Sequence, residues 1–291
     1  MSSALSELSR IVNPLITRLK GTTMDQKTSD IRDFYDSNVD DEWSRIDGRP
    51  EFLLTCRMLD RYIHPGDTVL DIGGGPGLYS LYLASKGCDV TMLDLSPRNT
   101  EHAAAKAAER GVPLQVVTGD AREASELVTG LFDHVLLMGP LYHLQDEADR
   151  VAAVWAAVDV LKPGGVLFAS FINVFSGMVW TMKIEPENVL TDDPTQRAFY
   201  EAILANRSFS GLTFTHAHFV TKDEVLPFMA QFSLDKLAYF GQESIMSPCE
   251  ANIMTQPQPV VDAWLDMCER LWERDDLLNY AEHLMYVGRK R

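Results

Sequence analysis

The stretch Val69-Leu70-Asp71-Ile72-Gly73-Gly74-Gly75-Pro76-Gly77 runs from an apolar strand through an acidic residue into a glycine-rich turn. A second apolar run over 88–93 ends in another acid, Asp94. A strand, a glycine turn, a helix and a second strand ending in a carboxylate form one β-α-β unit, whose loop lets a ligand lie directly against the backbone. The segment therefore predicts a nucleotide-cofactor site.

The spacing of the glycines separates two classes of cofactor. The dinucleotide fingerprint is G-x-G-x-x-G, and its third glycine permits close packing of the helix on the strand. Counted from Gly73 and Gly75, that third position is Leu78, so the fingerprint is not met. The sequence from Asp71 to Gly77 is instead D-x-G-x-G-x-G, which resembles the first motif of the class I S-adenosylmethionine (SAM) methyltransferases.

The resemblance implies a role for each residue of the motif. In that family the glycine loop passes under the methionine part of SAM, which gives this role to Gly73, Gly75 and Gly77. The leading acid helps to hold the amino group of SAM, and this acid is Asp71. The acid that ends strand two takes both ribose hydroxyls, and this acid is Asp94. A purely structural turn would give similar letters, but the motif with Asp94 at the family's distance favours cofactor binding.

Later segments match the same family, and the resemblance runs over about 62–173. Strand three ends in Gly-Asp-Ala, where the family's acid usually meets the adenine amino group, so the resemblance implies cofactor contacts from Asp120 and Ala121. Strand four ends at Met138, the next implied contact, and residues 139–144 follow it at the reaction site.

The alternation of apolar strands with helices predicts an α/β fold. We expect a doubly wound Rossmann-like sheet, mainly parallel with an antiparallel last strand, plus N-terminal helices and a helical cap. The predicted division is an N-terminal amphipathic helix and linker (1–27), a helical lid (28–66), a SAM-binding core (67–172), a substrate cap (173–232) and a C-terminal completion of the sheet (233–291).

An aromatic-rich segment precedes strand one, where many small-molecule methyltransferases fold a helix over the cofactor. Tyr35 is predicted to contact the cofactor, and Trp43 and Arg45 to contact the substrate. The arginine would reach the methionine carboxylate or an acidic acceptor. The alternative is core packing for the aromatic residues and a surface ion pair for the arginine.

The catalytic prediction rests on the residues after strand four. The Asn/Asp-Pro-Pro-Tyr tetrad of DNA adenine and protein glutamine methyltransferases is missing there, which argues against amide or nucleobase chemistry. His143 is the first candidate for a general base, because histidine titrates near neutral pH, and Tyr142 is the second. A histidine that anchors its loop by a backbone hydrogen bond is the alternative. His216 and His218 share one face of a strand and are candidates for substrate binding; with no third ligand nearby, no metal site is predicted.

The composition of the chain bears on its partners and its cellular location. A formal net charge of −16 opposes binding to nucleic acid, which needs clustered lysine and arginine. The four cysteines form no C-x-x-C pair, and no apolar run is long enough to span a membrane, so we expect a cytoplasmic protein. Apolar residues over 5–19 recur at helical spacing, interrupted by Pro14, and predict a helix that docks on its own domain or on a second subunit, as in a homodimer. An organelle-targeting segment is the alternative.

Together these features predict an enzyme that transfers a methyl group from SAM to an oxygen or nitrogen nucleophile of a small molecule. The product would be S-adenosylhomocysteine (SAH). The acidic composition favours a neutral or cationic acceptor. An NAD-dependent oxidoreductase and a noncatalytic SAM-binding subunit remain as alternatives.

Overall fold

The computed structural model describes residues 25–291, and nine strands of this range form one sheet. The order along the sheet is β3-β2-β1-β4-β5-β7-β6, while β9 pairs with β5 and β8 pairs with β9. The strands are β1 (Thr68–Ile72), β2 (Asp89–Asp94), β3 (Gln115–Thr118), β4 (Phe132–Leu137), β5 (Leu161–Asn173), β6 (Phe209–Leu212), β7 (His216–Val220), β8 (Leu234–Gly241) and β9 (His283–Lys290).

Strands β1 to β5 are mutually parallel, and β1 lies between β2 and β4. Val69, Leu70 and Ile72 of β1 are completely buried, which requires cover on both faces of the sheet. The carboxyl ends of these strands meet at one edge, where ligands bind in open α/β sheets.

Helices supply that cover. They are α1 (Gln26–Ser37), α2 (Val39–Ile46), α3 (Pro50–Leu59), α4 (Leu78–Ser85), α5 (Pro97–Arg110), α6 (Ala124–Leu127), α7 (Glu147–Asp159), α8 (Ser176–Ile184), α9 (Pro194–Leu204), α10 (Lys222–Met229), α11 (Glu250–Ile253) and α12 (Gln258–Leu271). One apolar cluster joins the sheet to α3, α4 and α12, and a second joins it to α7 and α10. The predicted doubly wound Rossmann-like fold is confirmed.

The last strands complete the sheet as predicted from the sequence. Strand β9 runs antiparallel to β5 over residues 283–289 and antiparallel to β8 on its other side. The cap follows β5 and packs on the sheet through a third apolar cluster that includes Val174, Phe199 and Phe219. Residues 209–212, which we assigned to the cap, form strand β6, because they pair with β7 in a hairpin.

Helices α1 and α2 lie near the carboxyl ends of the parallel strands, where α1 contacts α5 and β7. The side chain of Asp25 caps α1 by accepting a 2.9 Å hydrogen bond from the backbone N–H of Thr28. The helix predicted over residues 5–19 lies outside the described residues. Within 25–291, no helix is both long and apolar enough to cross a membrane.

Candidate functional site

A cleft opens at the carboxyl ends of β1 to β4 and encloses about 1100 Å³, including its open mouth. Helix α1 and the following segment form the wall opposite the sheet. Most of the residues singled out from the sequence line this cleft: Tyr35, Arg45, Asp71, Gly73, Gly75, Asp94, Asp120, Ala121, Met138, Tyr142 and His143. Four others do not line it, namely Trp43, Gly77, His216 and His218.

The glycine loop is shaped by conformations and contacts that a side chain would disturb. Gly73 and Gly77 have φ angles of +76° and +98°, in the left-handed region that favours glycine. A Cβ on Gly73 would lie 2.4 Å from Cδ of Pro140, and a Cβ on Gly77 would lie 2.7 Å from Cβ of Ala103 in α5. Gly77 therefore packs the loop against a helix, while Gly73 and Gly75 border the cleft.

Asp94 ties the end of β2 to the glycine loop. One carboxylate oxygen accepts a 2.8 Å bond from the N–H of Gly75, and the other accepts bonds from the N–H of Ser96 (2.9 Å) and Nδ2 of Asn99 (3.1 Å). Burial raises the pKa of Asp94 to about 6, although these three bonds act in the opposite direction. The carboxylate is thus held rigidly at the cleft wall.

Asp71 lies deeper at the end of β1 and is 1% exposed. Its carboxylate accepts a 2.7 Å hydrogen bond from Oγ of Ser80. Burial raises the pKa of Asp71 to about 6; the Ser80 bond lowers it, and the negative charge of Asp94 adds to the increase. The two acids therefore place negative charge under one side of the glycine loop.

Asp120, at the end of β3, is engaged by Arg122. The Arg122 guanidinium donates to both carboxylate oxygens, at 3.0 and 2.6 Å, and also to Asp149 at 3.0 Å. The same guanidinium donates to Thr28 of α1 at 3.2 Å. The arginine balances the charge of Asp120 and links this corner of the cleft to α1.

His143 uses both ring nitrogens. Nδ1 lies 3.1 Å from the carbonyl oxygen of His216, and because a carbonyl only accepts, Nδ1 carries the proton. Nε2 is then the acceptor and receives the hydroxyl proton of Tyr35 at 2.7 Å. Burial lowers the pKa of His143 to about 4, against the opposing effect of the His216 carbonyl. His143 is therefore neutral at pH 7, with an unprotonated Nε2 toward the cleft-lining Tyr35. The expectation that this histidine titrates near neutral pH was wrong, because burial disfavours the charged imidazole.

The other end of the cleft carries acidic residues that the sequence analysis missed. Arg45 lies between Glu42 and Glu51, at 3.0 and 3.3 Å, and all three line the cleft with Tyr142. Both carboxylates raise the pKa of the Arg45 guanidinium, although burial acts against them. Arg45 is thus in an ion-paired group that faces the cleft.

A buried polar chain closes the floor of the cleft. Ser170 of β5 donates to Gln242, whose Nε2 donates to Oγ1 of Thr55 at 2.9 Å. Ser170 interrupts an otherwise apolar run in β5, and this interruption is the sequence signal that would have revealed it.

The structure does not bring the remaining candidates to the cleft. The Trp43 ring packs against His102 with centroids 5.2 Å apart, so it contacts α5. The imidazole of His216 pairs with Asp30 at 3.1 Å, while Nδ1 of His218 pairs with Oγ of Ser210 at 2.7 Å. The two histidines therefore bind separate partners.

Comparison with known proteins agrees with this geometry. Residues 69–165 match the model of the methyltransferase domain family. The match covers the glycine loop and the strand ends that build the cleft, and together with the relatives and solved structures described next it supports a class I SAM-dependent methyltransferase domain. The class predicted from the sequence is thereby confirmed.

Individual relatives share this domain. The chain is 34% identical over 137 residues to the ubiquinone biosynthesis O-methyltransferase of Xanthomonas campestris pv. campestris (strain B100), covering 45% of this chain and 56% of that protein. The chain thus spans little more than half of this curated relative.

Two solved structures show the same fold over most of the chain. The N-methyltransferase NodS from Bradyrhizobium japonicum WM9, in complex with SAH, has a TM-score of 0.53 at 17% identity, covering 90% of this chain and 98% of that one. The 1,6-didemethyltoxoflavin-N1-methyltransferase of Burkholderia thailandensis has a TM-score of 0.54 at 17% identity, covering 92% of each chain.

Proposed function

We propose that this protein transfers the methyl group of SAM to an oxygen or nitrogen nucleophile of a small organic molecule, releasing SAH. The observation that carries the proposal is one cleft that joins a glycine loop and Asp94 to a neutral, buried His143. The relative from Xanthomonas is named an O-methyltransferase and the one from Burkholderia an N-methyltransferase, which supports both types of nucleophile.

The cofactor half of the proposed site is the glycine loop with the adjoining strand ends. Gly73 and Gly75 would lie under the methionine part of SAM, with Asp71 nearby for its amino group. Asp94 would accept the two ribose hydroxyls, a task that suits a buried, ionised carboxylate at the end of β2. The remaining contacts proposed for the cofactor come from Tyr35, Asp120, Ala121 and Met138.

Methyl transfer from a sulfonium is an in-line displacement. The acceptor's electron pair forms the new bond to the methyl carbon while the carbon–sulfur bond breaks, and its electron pair returns to sulfur. The main task of the protein is to align the three atoms in a site from which water is excluded. The cover of α1 over the cleft supports this task, since Tyr35 and Asp36 of that helix bond to His143 and Ser96 on opposite sides.

His143 is the proposed acceptor of the proton that the nucleophile loses. Its Nδ1 donates a hydrogen bond to the His216 carbonyl and so anchors the loop. Its Nε2 stays available for catalysis, so one histidine can serve both roles. The hydroxyl of Tyr35 donates a hydrogen bond to Nε2. The methyl acceptor would either displace this hydroxyl and bond to Nε2 directly, or transfer its proton to Nε2 by way of the hydroxyl. Burial raises the pKa of Tyr142, which leaves its phenol protonated and suited to donating a hydrogen bond.

The acceptor half supports a neutral or cationic substrate. Arg45 contributes one positive charge there, against two negative charges from Glu42 and Glu51. We propose that Arg45 reaches the methionine carboxylate or orients the acceptor within this acidic surround. A net charge of −16 and four free cysteines support a small-molecule substrate, no nucleic acid partner and a cytoplasmic location. A homodimer formed through the N-terminal segment remains part of the proposal.

The test is a methylation assay with labelled SAM and a panel of phenols, catechols, amines and carboxylic acids. We expect acceptor-dependent SAH and a labelled product with at least one class. His143→Gln should lower the rate about a hundredfold, because general bases typically contribute that much or more, and Tyr35→Phe should lower it less. His218→Gln is the matched control, since His218 lies outside the cleft, and its rate should not change. An undiminished rate in His143→Gln would remove the proposed base, and no product with any acceptor would contradict the function.

A further inference from the structure

We propose that Glu51, Glu243 and His283 form a binding site for a divalent metal ion at the wall of the cleft. These three residues, here called the Glu–Glu–His cluster, each offer one ligand atom, and these atoms lie within 4.8 Å of one another. They come from α3, from the turn after β8 and from the start of β9. Ion binding at this site does not depend on the proposed methyl transfer.

The carboxylates of the cluster are oriented by bonds from outside it. Oε2 of Glu243 accepts the backbone N–H groups of Glu282 and His283, both at 3.0 Å, which turns Oε1 toward Nδ1 of His283 at 2.6 Å. Oε2 of Glu51 lies 3.8 Å from the same nitrogen and is held by Arg45 at 3.3 Å. Metal-binding carboxylates are commonly fixed by such outer hydrogen bonds.

The charge of the cluster fits a divalent ion. Against the effect of burial, Glu51 and Glu243 raise the pKa of His283 to about 9, so the imidazole holds a proton at pH 7. Once that proton has left, two carboxylates and a neutral imidazole sum to −2, and the nearby Arg45 is already paired with Glu42 at 3.0 Å. Glu243 and His283 are 3% and 7% exposed, so their charges are poorly solvated. The protonated imidazole compensates the carboxylates in the free protein, and a divalent ion would do so when bound. An ion would replace the proton that Nδ1 shares with Glu243, and this proton would leave to solvent.

A buried hydroxyl, that of Tyr79, belongs to a residue that lines the same cleft as Glu51. The Tyr79 hydroxyl is buried and has no hydrogen-bond partner among residues 25–291. Its ring packs against Phe52, the residue after Glu51, with centroids 5.2 Å apart, and Tyr79 lines the cleft together with Glu51. Buried polar groups are normally satisfied. Against the larger effect of burial, the Thr55 side chain lies near enough to lower the pKa of the Tyr79 phenol, and an oxygen carried by an ion would give the hydroxyl a further partner.

The ligand set selects the class of ion. One imidazole with two carboxylates suits Mn²⁺, Fe²⁺ or Zn²⁺ better than Mg²⁺ or Ca²⁺, which prefer oxygen alone. Three protein ligands leave coordination positions open, as in catalytic metal sites. Because Glu51 lines the cleft, an open position would be within reach of a substrate oxygen.

The experiment is calorimetric titration of the full-length, chelator-treated protein with Mn²⁺ and with Zn²⁺. We expect one ion per chain to bind, with an affinity at least tenfold weaker in Glu243→Gln and in His283→Gln. Glu282→Gln is the matched control, because Glu282 is next in sequence but its carboxylate bonds to Lys183 and Ser247.

Circular dichroism and SAH binding will show which variants are folded. If one of the two cluster variants does not fold, Glu51→Gln will be measured in its place. Absence of binding by both ions would overturn the proposal, as would equal affinity in the wild type and the folded cluster variants. Neither result would bear on the methyltransferase assay.

Discussion

Asp94 shows how one side chain connects the chemistry of the cleft to its shape. Its oxygens accept three hydrogen bonds from the loop and from the start of α5. These bonds orient the carboxylate toward the cleft without neutralising it, as ribose recognition requires. Its pKa of about 6 lies close enough to neutral pH for protonation to be measurable.

The raised pKa predicts how SAH affinity depends on pH. Ribose hydroxyls donate to the ionised carboxylate, so the protonated form of Asp94 should bind SAH more weakly. With a pKa of about 6 in the free protein, affinity should be constant above pH 7 and fall as pH drops through 6. The expected loss between pH 7.5 and 5 is about tenfold.

Titration calorimetry across this pH range provides the check, with Asp94→Ala as the comparison. The variant should bind weakly at all pH values and show a flatter curve. Constant affinity in the wild type would contradict the prediction. If Asp94→Ala keeps the full pH dependence, the titrating group is Asp71 instead, whose pKa is also about 6.

Sequence reasoning reached some residues of the cleft and missed others for a physical reason. Asp71 and Asp94 were predictable because each ends a strand at a fixed distance from the glycines. Glu51 and Gln242 lie on a helix and on a turn that only the folded chain brings together. The spacing of residues along the sequence does not indicate such long-range contacts. The Glu–Glu–His cluster could not be predicted for the same reason.

At the scale of the element, the glycine loop depends on its contact with α5. Gly77 has a φ of +98°, and a Cβ there would lie 2.7 Å from Cβ of Ala103. Gly77→Ala should therefore combine backbone strain with overpacking and lower the free energy of unfolding by about 2 kcal/mol or more. The melting temperature should fall by about 4 °C or more.

Gly130→Ala is the matched control for this change. Gly130 has a similar φ of +90°, but nothing lies within 4 Å of the position of its Cβ. Thermal unfolding of both variants isolates the contact with α5 from the backbone strain. Equal losses would show that this contact contributes nothing.

Secondary-structure elements were predicted well where the sequence pattern extended over a whole strand. Apolar strands bounded by glycine and acidic residues predicted β1, β2 and β4 to within about a residue of their observed bounds. Strand β6 was missed because its four residues, Phe-Ser-Gly-Leu, contain no apolar run. It forms through pairing with β7, which local sequence does not encode.

For the whole molecule, the class of protein was more predictable than its substrate. The motifs at the strand ends follow one another in an order that the sheet sets. Residues 69–165, which carry these motifs, match the model of the methyltransferase domain. The half of the cleft proposed for the acceptor includes residues of α1, α2 and α3 and Gln242, which lie outside that match. Acceptor specificity must therefore be measured on this chain.

The most direct measurement is calorimetric titration of the full-length protein with SAH, with NAD in parallel and Asp94→Ala as the control variant. The proposed cofactor site predicts binding in the micromolar range for SAH and none for NAD. The variant should bind SAH about tenfold more weakly or worse, because it loses the hydrogen bonds to the ribose. Binding of NAD without binding of SAH would contradict the methyltransferase assignment and favour an oxidoreductase.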